Sequence, residues 1–284
     1  MNKIFKSSFD YSKHTTTYKG FNIQTYSFGT GEKVVFSFPS FPHSELYYLW
    51  FLTHYDPSKV RFITFDLPGW AGYSEDMFRN RDFNIDEYVD IAKQILKDYK
   101  VEEFSVIGYS FGGAMALKLA ADLKNQVKKV VLVSSVINSN LIGRFHTFKL
   151  INIVHYLKYY SVLKTMIIRK MREVSKVLII EESVPEVFLE MYSDMVAHLD
   201  PRVIAESIYQ LFTSDYTKYL EDIKDKEILI VNSSQEDKIF RVQAEYLRKS
   251  LQNEKSLHIH GSHDDFILRC KADVVKDVIN FLTK

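Results

Sequence analysis

The chain has 284 residues, of which 46% are hydrophobic and 26% are charged. This length is sufficient for one large α/β domain with a modest insertion. Lys and Arg together number 37 and Asp and Glu 36, which gives a formal net charge of +1. Such a balance provides no general field that would attract nucleic acid or an anionic membrane surface, so we expect neither as a partner.

The sequence also argues against membrane insertion, secretion and disulfide formation. It contains no run of about 18 uninterrupted apolar residues, so we expect no membrane span. Its first 20 residues are polar and lack the apolar segment of a secretory signal, which predicts a cytoplasmic location. A single cysteine, Cys270, cannot form an internal disulfide or a thiolate metal cluster.

Short apolar runs alternate with longer segments of helical periodicity along most of the chain. This alternation predicts an α/β fold with a mostly parallel sheet flanked by helices. The predicted strands are 21–28, 33–38, 60–65, 103–107, 128–133, 227–232 and 256–259. Predicted helices start near Asn84, run from 111 to about 123, follow Arg241, and close the chain over about 271–282.

One long segment, residues 138–215, interrupts this alternation. It shows helical periodicity but no strand pair of the βα kind, and it is rich in aromatic residues. We therefore expect an inserted helical cap, with a core domain formed by residues 1–137 and 216–284.

The strongest chemical signal is a serine between a predicted strand and a predicted helix. Residues 104–116 read Phe-Ser-Val-Ile-Gly-Tyr-Ser-Phe-Gly-Gly-Ala-Met-Ala, which contains Gly-x-Ser-x-Gly centred on Ser110. A strained strand-to-helix turn exposes the serine hydroxyl above the sheet, and Gly108 and Gly112 leave room for that turn. The helix N-terminus supplies N–H groups for a developing oxyanion. Ser110 is therefore predicted to be a nucleophile.

A second motif makes a resemblance specific. Residues 66–74 read Asp-Leu-Pro-Gly-Trp-Ala-Gly-Tyr-Ser, similar to an Asp-x-Pro-Gly-x-Gly-x-Ser loop. With the serine turn, this loop resembles the α/β-hydrolase superfamily, in the branch with a helical cap over the active site. The resemblance extends from about residue 21 to residue 282, and it implies the α/β-hydrolase fold without a cofactor or a metal.

The resemblance implies the chain order serine, acid, histidine. Residues 232–240 read Asn-Ser-Ser-Gln-Glu-Asp-Lys-Ile-Phe, similar to the Gly-x-x-Asp loop of the family, which places the acid at Asp237 and leaves Glu236 as a close rival. His263 follows the last predicted strand and is the expected general base. It would take the proton of Ser110, while the carboxylate fixes the imidazole tautomer.

The expected oxyanion hole departs from the family pattern. One donor should be the backbone N–H of Phe111, the residue after the nucleophile. The second should come from residues 39–42, which read Pro-Ser-Phe-Pro where relatives have His-Gly-x-Pro. By position the donor would be the N–H of Phe41. Ser40 replaces a glycine, so the turn is either distorted or supplemented by a hydroxyl donor.

The expected substrate is a small carboxylic ester with an apolar acyl or alcohol part. Aromatic residues at 41, 109 and 111 suggest an apolar pocket, and we expect Ser40 and Tyr109 to contact the substrate. Other reactions fit the same serine, histidine and acid: C–C bond hydrolysis of a diketone, and thioester or lactone hydrolysis. A further alternative is an N-terminal aminopeptidase like proline iminopeptidase, with cap carboxylates holding the ammonium group (Glu181, Glu182 and Glu186).

Two hypotheses from other classes remain beside the serine hydrolase. The altered Pro39-Ser40 pair is compatible with a binding protein that keeps the fold without turnover. Metal-dependent hydrolysis would draw on His258, His260, His263 and Asp264, but strand alternation gives no tetrahedral set of ligands. We therefore expect no metal.

Overall fold

The structure, a computed structural model, describes residues 11–39, 55–70, 72–142, 165, 166, 169, 198–251, 253–263, 266 and 272–284. Within these ranges, eight strands form one sheet: β1 Tyr11–Tyr18, β2 Phe21–Phe28, β3 Lys33–Phe38, β4 Val60–Phe65, β5 Phe104–Tyr109, β6 Val127–Val133, β7 Glu227–Ser233 and β8 Glu254–Ile259. The described α-helices are α1 Asp86–Asp98, α2 Phe111–Asp122, α3 Pro201–Thr213, α4 Lys238–Ser250 and α5 Ala272–Thr283.

The sheet is mostly parallel. Its strand order is β1-β2-β4-β3-β5-β6-β7-β8. The first hairpin pairs antiparallel, and β2 also pairs antiparallel with β4, whereas every later pair is parallel. The carboxyl ends of the parallel strands therefore lie along one edge, where ligands usually bind in open α/β sheets.

The centre of the sheet is buried on both faces. All six residues of β5 are buried, as are the last four of β6, which explains their continuous apolar character. Helix α2 carries glycine and alanine on its buried surface, so it can approach the sheet closely. It packs on β3, β5 and β6 and also contacts α1. This central packing holds the turn between β5 and α2 in place.

Seven predicted strands are present with small changes at their ends, and two elements differ from expectation. Strand β1 is not among the predicted elements: it is polar, and most of its side chains are exposed because it forms the edge of the sheet. Helix α4 begins at Lys238, before the predicted start after Arg241, because Asp237 occupies its N-terminal cap position. The parallel sheet flanked by helices is confirmed.

The two ends of the predicted insertion lie next to each other. Asn138 pairs with Asp215 in an isolated antiparallel bridge. The side chain of Gln243 on α4 accepts the N–H groups of Ile137 and Asn138 and donates to the Asn138 carbonyl. Most of residues 143–197 lie outside the described part, so the division into core and cap stays a prediction. In the described part, no helix has the length and apolar character needed to cross a membrane.

Candidate active site

Ser110 occupies a strained turn between β5 and α2. Its backbone has φ 53° and ψ −109°, an unusual combination for a residue with a side chain. The Ser110 N–H donates to the carbonyl of Val133 at 2.8 Å, and its carbonyl accepts the N–H of Val136 at 3.2 Å. These bonds tie the turn to the end of β6, which is how the neighbouring strand holds the unfavourable backbone conformation.

The two glycines of the motif are required by close backbone contacts. A Cβ atom on Gly108 would lie 2.4 Å from the carbonyl oxygen of Gly112. A Cβ atom on Gly112 would lie 2.6 Å from the carbonyl oxygens of both Phe38 and Pro39. Real Cβ atoms do not approach other atoms this closely, so the turn needs glycine at both positions. The start of α2 is thereby pressed against the end of β3.

His263 reaches Ser110 from the loop that follows β8. Its Nε2 atom lies 3.1 Å from the Ser110 Oγ atom, within hydrogen-bonding distance. The Tyr109 hydroxyl donates to the carbonyl of His263 at 2.7 Å, so the residue next to Ser110 also holds the backbone of the histidine. The structure therefore brings together the predicted nucleophile and the predicted base, which are 153 positions apart.

The loops after β7 and β8 are joined by their backbones. The Ser234 N–H donates to the carbonyl of Ile259 at 2.8 Å, and the Gln235 N–H donates to the carbonyl of Gly261 at 2.9 Å. Gly261 has φ 131°, a conformation that favours glycine. These bonds fix the segment before Glu236 relative to the segment before His263.

The carboxylate beside His263 is Glu236, and this corrects the prediction of Asp237. Glu236 Oε1 lies 3.3 Å from His263 Nδ1, and the Glu236 side chain is fully buried. Asp237 is exposed, and its backbone carbonyl accepts the N–H groups that begin α4. Since α4 starts at Lys238, Asp237 is at the outer end of the loop while the preceding residue points inward.

These contacts define the proton positions that the arrangement favours. A carboxylate is an acceptor, so Glu236 favours the tautomer of His263 with a proton on Nδ1. Nε2 is then free to accept the Ser110 hydroxyl proton. Among the described residues, Glu236 Oε2 has no hydrogen-bond partner, so an imidazolium at His263 would help to compensate this buried charge.

Tyr109, predicted to contact the substrate, has a different place. Its side chain is fully buried, and its hydroxyl binds the His263 carbonyl. The strand that it ends is covered on both faces, and the ring lies against His263, so its contact with a substrate stays a prediction. Phe240, for which the sequence analysis has no role, lies against the His263 ring with 3.8 Å between ring centroids. Its position in the first turn of a helix after the acid is the signal that could identify it.

The expected oxyanion donors are only partly within the described residues. Phe111 is the first residue of α2, so its N–H has no acceptor within the helix and is available above the sheet edge. Ser40 and Phe41 lie outside the described residues, so their predicted roles stay predictions. Pro39, the last described residue before them, lies against Gly112 at the start of α2.

The loop after β4 joins the serine turn to helix α3. The Trp70 ring packs on the Phe111 ring with 4.6 Å between centroids, and the Trp70 indole N–H donates to the Ser207 hydroxyl at 3.1 Å. The Gly69 carbonyl accepts the N–H of Asp200 at 2.9 Å, just before α3. Helix α3, which belongs to the predicted insertion, is thus connected through Trp70 to Phe111 at the start of α2.

Asp66 organises this same loop from within. It is fully buried, and its Oδ2 atom accepts the Tyr26 hydroxyl at 2.7 Å and the Tyr73 N–H at 2.8 Å. The Ser74 hydroxyl donates to the Asp66 carbonyl at 2.6 Å. The first and last residues of the Asp-x-Pro-Gly-x-Gly-x-Ser motif are therefore structural residues that close the loop.

No group of three or more His, Cys, Asp or Glu side chains arranged to hold a metal ion occurs in the part of the chain that the structure describes. His260 contacts the hydroxyl of Ser234 through Nδ1 at 3.4 Å, and His263 faces Ser110 and Glu236. Asp264, Cys270 and the three cap glutamates named above lie outside the described residues.

Comparison with known families identifies the class of this protein. The family model described as alpha/beta hydrolase fold matches residues 37–269, most of the chain. The chain therefore belongs to the α/β-hydrolase fold family. No curated protein gives a significant match to the sequence.

Solved structures with the same fold are similar over almost the whole chain. A bromoperoxidase from Bacillus anthracis superposes with a TM-score of 0.75 and 18% identity, covering 96% of this chain and 100% of the other. An esterase from Exiguobacterium antarcticum has a TM-score of 0.74 and 14% identity, with 96% and 100% covered. An enol-lactonase from Burkholderia xenovorans LB400 has a TM-score of 0.72 and 16% identity, with 95% and 100% covered. At these identities the likeness concerns the fold.

Proposed function

We propose that this chain is a serine hydrolase that cleaves a carboxylic ester with an apolar acyl or alcohol part. The observation that carries the proposal is the continuous relay from the Ser110 hydroxyl through the His263 imidazole to the buried Glu236 carboxylate. A serine hydroxyl is a weak nucleophile at neutral pH, and a base within hydrogen-bonding distance, oriented by a third group, is what activates it.

In the proposed reaction, Ser110 Oγ attacks the ester carbonyl while His263 Nε2 takes the hydroxyl proton. Glu236 accepts the Nδ1–H hydrogen bond and stabilises the imidazolium that forms. The Phe111 N–H donates to the oxyanion of the tetrahedral intermediate. Collapse breaks the C–O bond to the alcohol, which leaves with the proton from His263. Water then attacks the acyl-enzyme with His263 again as base, releasing the acid and restoring Ser110.

Two further considerations support an ester as the substrate class. An esterase and an enol-lactonase have the same fold, and a lactone is a cyclic ester. Trp70 and Phe111 pack on each other beside the serine turn, so the described surroundings of Ser110 are rich in aromatic carbon, which favours an apolar substrate part. An apolar acyl or alcohol part would therefore be bound without leaving polar groups unpaired.

A fluorophosphonate probe tests the nucleophile directly. We expect the probe to label the protein, and we expect no labelling in Ser110→Ala with an unchanged thermal melting temperature. Ester turnover should fall by at least about 10³-fold in the same variant, because the covalent route is lost. Labelling that persists in Ser110→Ala would assign the nucleophile to another residue.

A substrate panel then tests the bond that is cleaved. Aryl esters with acyl chains of two to eight carbons should be hydrolysed, with kcat/KM rising with chain length if the site is apolar. Aminoacyl anilides, including a prolyl anilide, test the aminopeptidase alternative, and a vinylogous diketone tests C–C hydrolysis. Turnover of only an anilide or only the diketone, with no ester cleaved, would contradict the ester proposal. Absence of both labelling and turnover would contradict catalysis and favour the binding protein.

A further inference from the structure

Two aromatic rings lie nearly parallel to the imidazole of His263. The Phe240 ring has its centroid 3.8 Å from that of His263, with 19° between the ring planes. The Tyr109 ring is at 5.2 Å with 25° between planes. The shorter distance is a face-to-face contact, whereas the Tyr109 ring is farther away and acts mainly through its hydroxyl. Among the described residues, Phe240 is therefore the ring that lies closest to a face of the imidazole.

Among the described residues, the polar contacts of His263 do not by themselves fix the plane of its ring. Glu236 contacts the ring edge at Nδ1, and the Tyr109 hydroxyl holds the backbone carbonyl. The Nδ1 to Oε1 distance is 3.3 Å, and this contact lies at the edge of the ring. An edge contact does not oppose tilting of the ring out of its plane. A flat neighbour on the face does.

We propose that Phe240 is a positioning residue for the general base, holding the plane of the His263 ring toward Ser110 and stabilising its imidazolium form. This inference deepens the proposed function and rests on it. A positive charge appears on His263 when Ser110 loses its proton, and the face of a phenyl ring carries negative potential that attracts a cation. The His263 side chain is only 21% exposed, so water screens this attraction weakly.

The fold explains how one short segment supplies both partners of His263. Asp237 caps α4, and the Phe240 N–H donates to the Asp237 carbonyl at 3.0 Å in the first helical turn. Glu236 lies one residue before the cap and Phe240 three residues after it. Phe240 therefore lies in the first turn of α4, close along the chain to the buried Glu236, and both side chains contact the His263 ring.

The charged and titratable groups that face His263 are few in the described residues. Glu236 lies at Nδ1 from the loop after β7, Ser110 at Nε2 from the turn after β5, and Tyr109 contributes its ring and hydroxyl from β5. A change at Phe240 removes no charge and no hydrogen bond to the imidazole. Its effect on the titration of His263 therefore reports the ring contact itself.

The experiment compares Phe240→Leu with Phe240→Tyr and with Tyr246→Leu. Leucine keeps an apolar side chain but removes the ring, tyrosine keeps the ring, and Tyr246 is a half-buried aromatic residue on the same helix that serves as a matched control. We expect Phe240→Leu to lower kcat about 2- to 5-fold with KM little changed, and to move the acid limb of the kcat profile about half a pH unit lower. Phe240→Tyr and Tyr246→Leu should retain the wild-type profile.

A second measurement does not depend on turnover. In the Ser110→Ala background, the His263 ring protons can be titrated by NMR with and without Phe240→Leu. The titration midpoint should again move about half a pH unit lower. If the midpoint shifts, but the protein with native Ser110 is not labelled by the fluorophosphonate and cleaves no ester, two conclusions follow. The ring contact is supported, and the proposed function has failed.

Several outcomes would overturn the inference. One is an unchanged titration midpoint of His263 in Phe240→Leu. If thermal melting shows that Phe240→Leu unfolds the protein, Phe240→Met takes its place. Another is a loss confined to KM, which would make Phe240 a substrate contact. A loss that Phe240→Tyr fails to restore would show that packing volume, not the aromatic face, is what matters.

Discussion

Two turns at the same edge of the sheet carry the reacting groups, and different forces hold them. The turn between β5 and α2 is packed backbone against backbone, with Gly112 against Phe38 and Pro39, and Ser110 has φ 53°. The loop between β7 and α4 is held by backbone hydrogen bonds to the loop after β8 and by burial of the Glu236 side chain. Steric space limits which residues the serine turn accepts, and charge limits which residues the acid loop accepts.

This difference indicates how each turn should fail. The serine turn has no room for one added methyl group, although that group changes no charge and no hydrogen-bonding group. In the acid loop, a substitution of equal volume is sterically harmless, but it removes the negative charge that orients His263. Volume changes should therefore break folding at the first turn, and charge changes should break catalysis at the second.

The largest expected effect is on catalysis, from Glu236→Gln. Glutamine has nearly the volume of glutamate, but it cannot stabilise the imidazolium and can select the wrong imidazole tautomer. We expect kcat for an aryl ester to fall by about 10³- to 10⁴-fold, as is typical when the orienting acid of such a relay becomes an amide. Steady-state kinetics measures the loss, and a thermal melt should show a folded protein.

Asp237→Asn is the matched control for that substitution. Asp237 is exposed and lies next to Glu236, so the same chemical change at this position should leave kcat within about 3-fold of wild type. A large loss in Asp237→Asn together with a small one in Glu236→Gln would restore Asp237 as the acid and contradict the contact that the structure shows.

The second effect is on stability, from Gly112→Ala. The added Cβ would meet two carbonyl oxygens at 2.6 Å, so β3 and α2 must move apart. We expect the free energy of unfolding to fall by about 1–3 kcal/mol, as for other overpacked sites, measured by urea denaturation. Gly20→Ala is the comparison: its φ is 86° but no atom lies within 4 Å of its Cβ position, so it reports backbone strain without a steric clash.

An unchanged free energy of unfolding in Gly112→Ala would mean that close approach does not limit the serine turn. A stability loss in Gly112→Ala with unchanged kcat in the folded fraction would show that the turn recovers its geometry by moving the neighbouring strand. Fluorophosphonate labelling of the folded protein at low temperature separates these results, because it reads the reactivity of Ser110 directly.

The same contrast explains what the sequence could predict. Strands β5 and β6 are buried on both faces, so continuous apolar runs identify them. The serine turn depends on short-range steric contacts. The glycines at fixed spacing around Ser110 make this requirement visible in the sequence. Strand β1 is polar and exposed, so its pairing with β2 supplies the only evidence for it, and pairing is not visible in a sequence.

The choice between the adjacent carboxylates of Glu236 and Asp237 is harder to predict from the sequence, because it depends on where α4 begins. The resemblance to a Gly-x-x-Asp loop predicts Asp237 as the acid, and the expected start of α4 after Arg241 leaves both carboxylates in a loop. With the helix beginning at Lys238, Asp237 takes the N-terminal cap position and is exposed, and Glu236 is the residue that points inward. For Tyr109, pattern alone does not say which loop will cover the end of its strand, and in the structure its ring is fully buried.

The smallest effect concerns a carboxyl group outside the relay, and it sharpens the contrast between structural and catalytic charge. Burial, followed by the neighbouring Asp200 carboxylate, raises the pKa of Asp76 to about 6. Because this folded-state pKa is above the unfolded value, the unfolded chain releases the proton first as pH rises. Stability from the protonated Asp76 is present below about pH 4 and is lost between about pH 4 and pH 6.

Asp76→Asn should therefore stabilise the protein at pH 7.5 and have little effect at pH 4. Asparagine stays uncharged beside Asp200, and its carbonyl can still accept the Phe78 N–H that Asp76 Oδ1 accepts at 3.0 Å. After allowance for solvent screening at a half-buried site, we expect a gain of about 1 kcal/mol, or roughly 2 °C in the melting temperature, with kcat unchanged. In the control Asp56→Asn, the Ser58 hydroxyl lowers the pKa of the native carboxyl, so removing this charge should give no gain at pH 7.5. A gain at pH 4 equal to that at pH 7.5 would show that the charge on Asp76 is not its cause.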